Sequence, residues 1–117
     1  MSWYTFVDFE YIDSDELGET PEFDIERRLA EIELLVTSNQ YHRDVAKDIC
    51  ELVTTKKASF KLISYAVIEI FSKLAARFPE VSFAVRGRGE DIRDIWLREY
   101  AGGKTVLALG PPEGASL

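Results

Sequence analysis

The sequence predicts an α+β fold in two layers, in which a mostly antiparallel sheet of about four strands carries three helices packed on one face. Three observations support this prediction. The stretch Ser64–Arg77 has helical spacing, and Glu69 is the only charged residue between Tyr65 and Phe71, so this helix must be covered on most sides. Runs of alternating polar and apolar residues follow it, as in half-buried strands. The pair Gly102-Gly103 predicts a hairpin turn, because both glycines can adopt positive φ.

The N-terminal half predicts one strand followed by two helices. Residues 3–12 alternate between apolar and polar side chains, which indicates a strand with one buried face. Thr20-Pro21 has the form of an N-cap and a first helical residue, because a threonine hydroxyl accepts an amide proton and proline has none to leave unpaired. The apolar stripe that follows ends near Ser38-Asn39, and a second amphipathic pattern covers residues 41–53.

The segment Phe60–Ile63 fits two assignments, a short strand or the first turn of the next helix. Helical spacing from Phe60 through Ile63 to Val67 favours the helix. Phe78-Pro79 ends this helix, since the residue before a proline is pushed out of the α region. The expected order is therefore one strand, three helices and three further strands.

Three strands are predicted after the proline. They cover residues 81–86, 92–100 and 104–109. The register of the second strand is open, because either Trp96 or its neighbours Ile95 and Leu97 can face the helices.

The chain is expected to be a single domain over residues 1–110, with residues 111–117 as a loose C-terminal tail. Cys50 is the only cysteine, so an internal disulfide is excluded. The sequence shows neither a secretion-signal pattern nor an apolar stretch of membrane-spanning length. A cytoplasmic location without membrane attachment is therefore expected.

The net charge of −7 is unevenly distributed along the chain. Residues 1–40 contain eleven acidic residues and two arginines, a balance of −9, whereas residues 41–117 have a balance of +2. The acidity peaks between Asp8 and Glu22, where no basic residue occurs. Such a surface attracts basic partners and speeds their encounter. A solvated surface that confers solubility explains the same charges without a partner.

No catalytic, cofactor-binding or metal-binding set is predicted. His42 is the only histidine, so a His and Cys metal site lacks ligands, and a hydrolase would need to collect His42 with carboxylates from other elements. Asp91 and Asp94 flank a turn, where acids are favoured for solvation and local hydrogen bonds. The protein is therefore expected not to be an enzyme and to need no cofactor.

The sheet face that points away from the helices is expected to carry the richest combination of side chains. If Val7 and Phe9 face the helices, this opposite face displays Tyr4, Phe6, Arg86 and Arg88, joined in one register by Trp96, Arg98 and Tyr100. Aromatic and arginine side chains suit a single-stranded nucleic-acid platform, and they also dominate protein-binding hot spots. Asp8 and Glu10 would share the face and count against nucleic acid. The expected partner is a protein with a basic surface, or a second copy bound through the sheet.

One part of the chain carries a resemblance to a known group of proteins. It consists of Phe78-Pro79-Glu80-Val81-Ser82-Phe83, Gly87-Arg88-Gly89-Glu90-Asp91, Asp94-Ile95-Trp96 and Tyr100-Ala101-Gly102-Gly103-Lys104. These residues resemble the C-terminal half of small ferredoxin-like proteins carried by phages and plasmids. The resemblance covers about a quarter of the chain and implies a helix, a strand, a turn and a hairpin, without any catalytic residue. The three helical stretches before it depart from a plain ferredoxin-like order.

These observations predict a non-enzymatic acidic interaction module that binds, and in one version inhibits, a basic macromolecular partner. An inhibitor or immunity-type protein borne by a phage or mobile element would behave in this way. The alternative is a single-stranded nucleic-acid-binding protein that uses the aromatic and arginine side chains of the sheet face. The candidate partner-binding residues are Asp13, Asp15, Glu16, Glu19 and Glu22 for attraction, and Tyr4, Phe6, Arg86 and Trp96 for anchoring.

Overall fold

In the computed structural model, residues 4–12, 21–91 and 93–110 are described, and they form three helices and one five-stranded sheet. The elements in chain order are β1 (Thr5–Tyr11), α1 (Ile25–Ser38), α2 (Asp44–Thr55), β2 (Lys57–Phe60), α3 (Ser64–Arg77), β3 (Phe83–Arg88), β4 (Ile95–Ala101) and β5 (Lys104–Leu109). The predicted two-layer α+β class is confirmed, with five strands in place of about four. The predicted end of α3 at Arg77 and the predicted bounds of β5 are confirmed as well.

All strand pairs are antiparallel, and the order across the sheet is β2-β1-β3-β4-β5. β1 therefore lies between two strands that come later in the chain, while β3, β4 and β5 form the expected meander. Val7 on β1 pairs with Gly87 on β3, which in turn pairs with Trp96 on β4. Because side chains alternate along a strand, this register places all three on the face that the helices cover.

The segment after α2 corrects the helical assignment expected for Phe60–Ile63. Lys56, the C-cap of α2, adopts a left-handed conformation with φ of 72°, and the chain turns directly into β2. Phe60 then pairs with Thr5 on β1 and is fully buried. The Thr5 hydroxyl donates a hydrogen bond to the Leu62 carbonyl oxygen at 2.7 Å. Pairing with β1 therefore outweighs the helical spacing of Phe60, and the helix starts only after Ile63.

Helix α1 begins later than the Thr20-Pro21 pair indicates. Thr20 lies outside the described residues and Pro21 is not helical, whereas Asp24 is the N-cap, since its Oδ1 accepts a hydrogen bond from the Arg27 backbone N–H at 3.3 Å. Phe23 explains the delay, because its side chain is buried and its backbone N–H donates to the Tyr11 hydroxyl at 3.1 Å. The chain is thus held against the core before the helix can start.

The core lies between the sheet and the helices and is rich in aromatic rings. The Phe83 ring has its centroid 4.9 Å from that of Tyr100, 5.2 Å from that of Phe23 and 5.5 Å from that of Phe9. Paired rings at such separations add about 1 kcal/mol each beyond their burial. Phe23 precedes α1, so this cluster packs the start of α1 against the middle of the sheet.

Candidate interaction face

The helices cover one face of the sheet, and we call the opposite one the open face. Its side chains are Phe6, Asp8 and Glu10 of β1, Lys57 and Ser59 of β2, Ala84, Arg86 and Arg88 of β3, Ile95, Leu97, Glu99 and Ala101 of β4, and Lys104, Leu107 and Leu109 of β5. Phe6, Ile95 and Leu109 are 46%, 52% and 53% exposed. Large apolar side chains gathered on one uncovered face are typical of a binding surface.

The strand register divides the open face into three rows of neighbouring side chains. The first row is Glu10, Ala84, Glu99 and Leu107, the second is Lys57, Asp8, Arg86, Leu97 and Leu109, and the third is Ser59, Phe6, Arg88 and Ile95; the pair Ala101 and Lys104 lies beyond the first row. The first row carries only negative charge, the second carries both signs, and the third carries only positive charge. We call the first row the acidic end of the open face and the third row its basic end.

The acidic end contains a recess over Ala84, which we call the acidic notch and define by Glu10, Ala84, Leu97 and Glu99. Ala84 has only a methyl group and lies between the two glutamates, which stand on the neighbouring strands. The four residues contribute to the lining of a cavity of about 270 Å³. Strands lie about 4.8 Å apart, so the two glutamate backbones are about 10 Å apart. Neither carboxylate forms an ion pair within the described part of the chain.

The middle row is neutralised by the chain itself. The Asp8 carboxylate lies 3.0 Å from the Arg86 guanidinium and 4.0 Å from the Lys57 ammonium group. Exposed ion pairs of this kind contribute about 0–1 kcal/mol to stability. Their main effect here is on charge, because Asp8 does not add to the negative field of the acidic notch.

The basic end combines an arginine with an aromatic ring. The Arg88 guanidinium carbon lies 5.3 Å from the centroid of the Phe6 ring, within the range of a cation–π contact. Both residues help to line a shallow cavity of about 730 Å³, together with Ile95. This end offers an apolar floor with a guanidinium group above it.

Three of the four predicted anchors lie at or near the basic end. Phe6 and Arg86 project from the open face and are exposed, as predicted. Tyr4 precedes β1 and is half-buried, and its backbone N–H donates to the Glu90 carboxylate at 3.3 Å. These positions bring an aromatic residue and an arginine to one surface, although Arg86 is already engaged with Asp8.

The prediction that Trp96 is the fourth anchor was wrong. Trp96 faces the helices and is 1% exposed, so it is a core residue that no partner can reach. The physical reason is its pairing with Gly87, because the absent side chain leaves room for the indole ring over β3. Side chains alternate along a strand, so Arg98 and Tyr100, two and four residues after Trp96, also face the helices. Both are buried.

The acids predicted to attract a partner lie largely beyond the described residues. Asp13, Asp15, Glu16 and Glu19 fall in the segment 13–20, of which the structure describes nothing, whereas Glu22 is exposed. In the sequence, that segment follows β1, whose last acidic residue is Glu10. The sequence analysis missed Ala84 and Glu99; an inward Trp96 would have placed Glu99 on the open face by simple alternation.

Side chains with catalytic or ligating potential have local structural partners. His42 is exposed, and its Nδ1 accepts a hydrogen bond from the Asp44 backbone N–H at 3.1 Å at the start of α2. Burial raises the pKa of the half-buried Cys50 thiol, which keeps it protonated. Within residues 4–12, 21–91 and 93–110, no three His, Cys, Asp or Glu side chains are grouped so as to hold a metal ion. None of the described helices has the length and apolar character that crossing a membrane requires.

Comparison of the chain with protein-family models, with curated proteins and with solved structures gave no match. The resemblance to ferredoxin-like proteins of phages and plasmids therefore stays a prediction. The open face, with its acidic notch and its exposed apolar side chains, is the feature from which a function is inferred.

Proposed function

We propose that the protein is a non-enzymatic interaction module that binds a basic segment of a partner protein on the open face. The acidic notch carries this proposal. Its two glutamates flank a small residue on an uncovered surface and have no ion-pair partner in the described part of the chain. An arginine or lysine of the partner would enter the notch and donate charge-assisted hydrogen bonds to the carboxylates of Glu10 and Glu99.

The charge distribution supports a basic partner. Residues 1–40 carry a balance of −9, and the acidic segment 13–22 follows Glu10 of β1 closely in the sequence. A concentrated field of one sign speeds the encounter with a partner of opposite sign, and it does so less as the salt concentration rises. The predicted attracting acids Asp13, Asp15, Glu16, Glu19 and Glu22 would act in this way, while the notch fixes the bound position.

The exposed apolar side chains supply the contact area that charge alone does not. Leu97 borders the notch, and Leu109 and Ile95 continue the apolar strip towards Phe6 at the basic end. Removal of apolar surface from water is the dominant favourable contribution in most protein–protein association. A module that covers a basic surface in this way would inhibit a partner that needs the surface for another ligand, as an inhibitor or immunity-type protein of a phage or mobile element does.

A second candidate, single-stranded nucleic-acid binding, is favoured by the contact of Arg88 with Phe6 at the basic end. Fewer aromatic and arginine side chains are exposed for nucleic-acid binding than the sequence predicts. Trp96 and Tyr100 are buried, and Asp8 neutralises charge next to Arg86. We therefore rank it second.

A pair of matched double variants tests the first candidate. Glu10→Gln/Glu99→Gln removes the charge of the notch, and the control Glu26→Gln/Glu33→Gln removes the same charge from exposed positions of α1. Binding of a labelled deca-arginine peptide, followed by fluorescence anisotropy at low salt, is expected to weaken about tenfold in the notch variant and about twofold in the control. Affinity capture from a lysate with the same three proteins should lose its main binding partner only in the notch variant.

Two results would contradict the proposal. Equal weakening in the two variants would assign the binding to net charge and remove the notch from it. Tight, salt-sensitive binding of labelled oligothymidine that is lost in Phe6→Ala and Arg88→Ala variants would instead establish the second candidate.

A further inference from the structure

β5 forms one edge of the sheet. It pairs with β4 on one side, and no described residue pairs with its other side. Its sequence from Lys104 to Leu109 contains one charge and no proline, and Val106 in its middle is 58% exposed. Edge strands of monomeric proteins are normally short, charged, bulged, proline-containing or covered, because a bare edge pairs with other chains. Of these protections β5 has only Lys104 at its start and the β-bulge between Glu99 and Tyr100 in its pairing with β4.

The opposite edge of the sheet has two protections that β5 lacks. β2 is only four residues long and is packed along α2. One edge of this sheet is therefore closed to further pairing and the other is open.

We propose that two copies of the protein pair antiparallel through β5, so that their sheets join into one sheet of ten strands. Antiparallel pairing of a strand with its own copy satisfies a two-fold axis, which makes the contact self-complementary. In the register centred on the two-fold axis at Val106, Val106 of each copy lies opposite Val106 of the other and residues 104–108 are paired; β-branched cross-strand neighbours are favourable. Lys104 then lies opposite Ala108, so the two ammonium groups stand at opposite ends of the ladder, about 14 Å apart.

The distribution of charge favours a second copy as the occupant of this edge. Residues 83–110, which include β3, β4 and β5, contain five basic and four acidic residues, a balance of +1, whereas residues 1–40 have a balance of −9. β1 is separated from β5 by two strands. Two copies that meet at β5 approach each other through their nearly neutral edges and keep Asp8 and Glu10 of their β1 strands apart, which weakens the repulsion between these acids.

Apolar side chains next to the edge add contact area to the backbone ladder. Leu109 and Ile95 project from the open face beside β5, and each is more than half exposed. Gly110 closes the strand, and the two prolines that follow it in the sequence have no N–H to donate, so the ladder is limited to the length of β5. In the joined sheet the acidic notches of both copies lie on one continuous open face.

Sedimentation equilibrium of the full chain from about 2 to 200 µM tests the proposal, because a dimer obeys mass action. We expect a monomer–dimer equilibrium in the wild type. Val106→Lys places like charges across the two-fold axis and should raise the dissociation constant at least tenfold. Leu34→Lys changes an equally exposed apolar residue on α1 and should leave the equilibrium unchanged.

Hydrogen exchange locates the contact. At the higher concentration, amides of residues 104–109 should become protected in the wild type and not in Val106→Lys. A wild type that stays monomeric at every concentration would overturn the proposal, as would a dimer that Val106→Lys leaves intact, or amides of 104–109 protected equally at all concentrations. The Glu10→Gln/Glu99→Gln variant should dimerise normally, so this test and that of the proposed function fail separately.

Discussion

The indole ring of Trp96 on β4 fills the space over Gly87 on β3 that any side chain at that position would occupy. A Cβ atom added to Gly87 would overlap the Trp96 ring. The pair decides the orientation of β4, because it sends Trp96 towards the helices and Ile95, Leu97 and Glu99 to the open face.

Gly87→Ala is therefore expected to destabilise the protein by about 2 kcal/mol, as overpacked core substitutions do. Gly102→Ala is the matched control, because it has no atom near its Cβ and meets only the backbone cost of φ 61°, about 1 kcal/mol. Urea unfolding gives both values. If the cost of Gly87→Ala is not reduced when Trp96→Phe is added, the ring is not its cause.

Arg98 is buried and donates to three backbone carbonyl oxygens, those of Leu97 at 2.9 Å, Leu109 at 2.8 Å and Gly110 at 3.2 Å. Arg98→Leu removes these bonds and is expected to lower the free energy of unfolding by about 2 kcal/mol. Amide exchange should accelerate most at the C-terminal end of β5, which two of the bonds hold. Arg93→Leu, which changes an exposed arginine, serves as the control. Unchanged amide exchange near Leu109 in Arg98→Leu would show that the guanidinium group does not stabilise the end of β5.

Asp48 on α2 is expected to oppose folding at neutral pH. Burial raises the pKa of its carboxyl group, and the neighbouring Glu51 and Asp44 add to the effect. A carboxyl group whose pKa is higher in the folded state than in the unfolded state penalises folding above that pKa, and the penalty disappears as both states become protonated below about pH 4. Asp48→Asn should therefore stabilise the protein at pH 7 by about 0.5 kcal/mol. Chemical unfolding at pH 7 and pH 3.5 measures this gain; a gain of equal size at both pH values would exclude ionisation as its origin.

Tyr41 on the loop before α2 is expected to make stability sensitive to high pH. Burial raises the pKa of Tyr41 to about 12, helped by the hydrogen bond that its hydroxyl donates to Glu69 Oε1 at 2.7 Å. The unfolded chain loses this proton near pH 10 and the folded chain only near 12, so the stabilisation is complete below pH 10 and is lost as the pH rises from about 10 to about 12.

Tyr41→Phe should lower the free energy of unfolding by about 1 kcal/mol at pH 8. Between pH 8 and pH 12, the free energy of unfolding should fall less in this variant than in the wild type. Some loss will remain in the variant, because burial also raises the pKa of Tyr11 and of Tyr100. Unfolding curves at several pH values give the comparison. Identical pH dependence of the two proteins would rule out a role for Tyr41.

The parts of the fold that the sequence predicted are those set by neighbours in the chain. The apolar period of α3 and its end before Phe78-Pro79 could be predicted, and β5 follows from the glycine pair before it. β2 was not predicted, because Phe60 also fits the spacing of the next helix and its partner Thr5 lies 55 positions earlier. The acidic notch could not be predicted, since it exists only through the alignment of three strands.

The strand order also determines when the sheet can be completed during synthesis. Phe6 pairs with Arg88, 82 positions later in the chain, and the other neighbour of β1 is β2, whereas β3 pairs with β4 and β4 with β5. As the chain leaves the ribosome, β1 must wait for most of the domain to emerge before its second neighbour exists. Contacts over such separations slow folding, so one edge of β1 stays unpaired for longer in the nascent chain than it would in a simple meander.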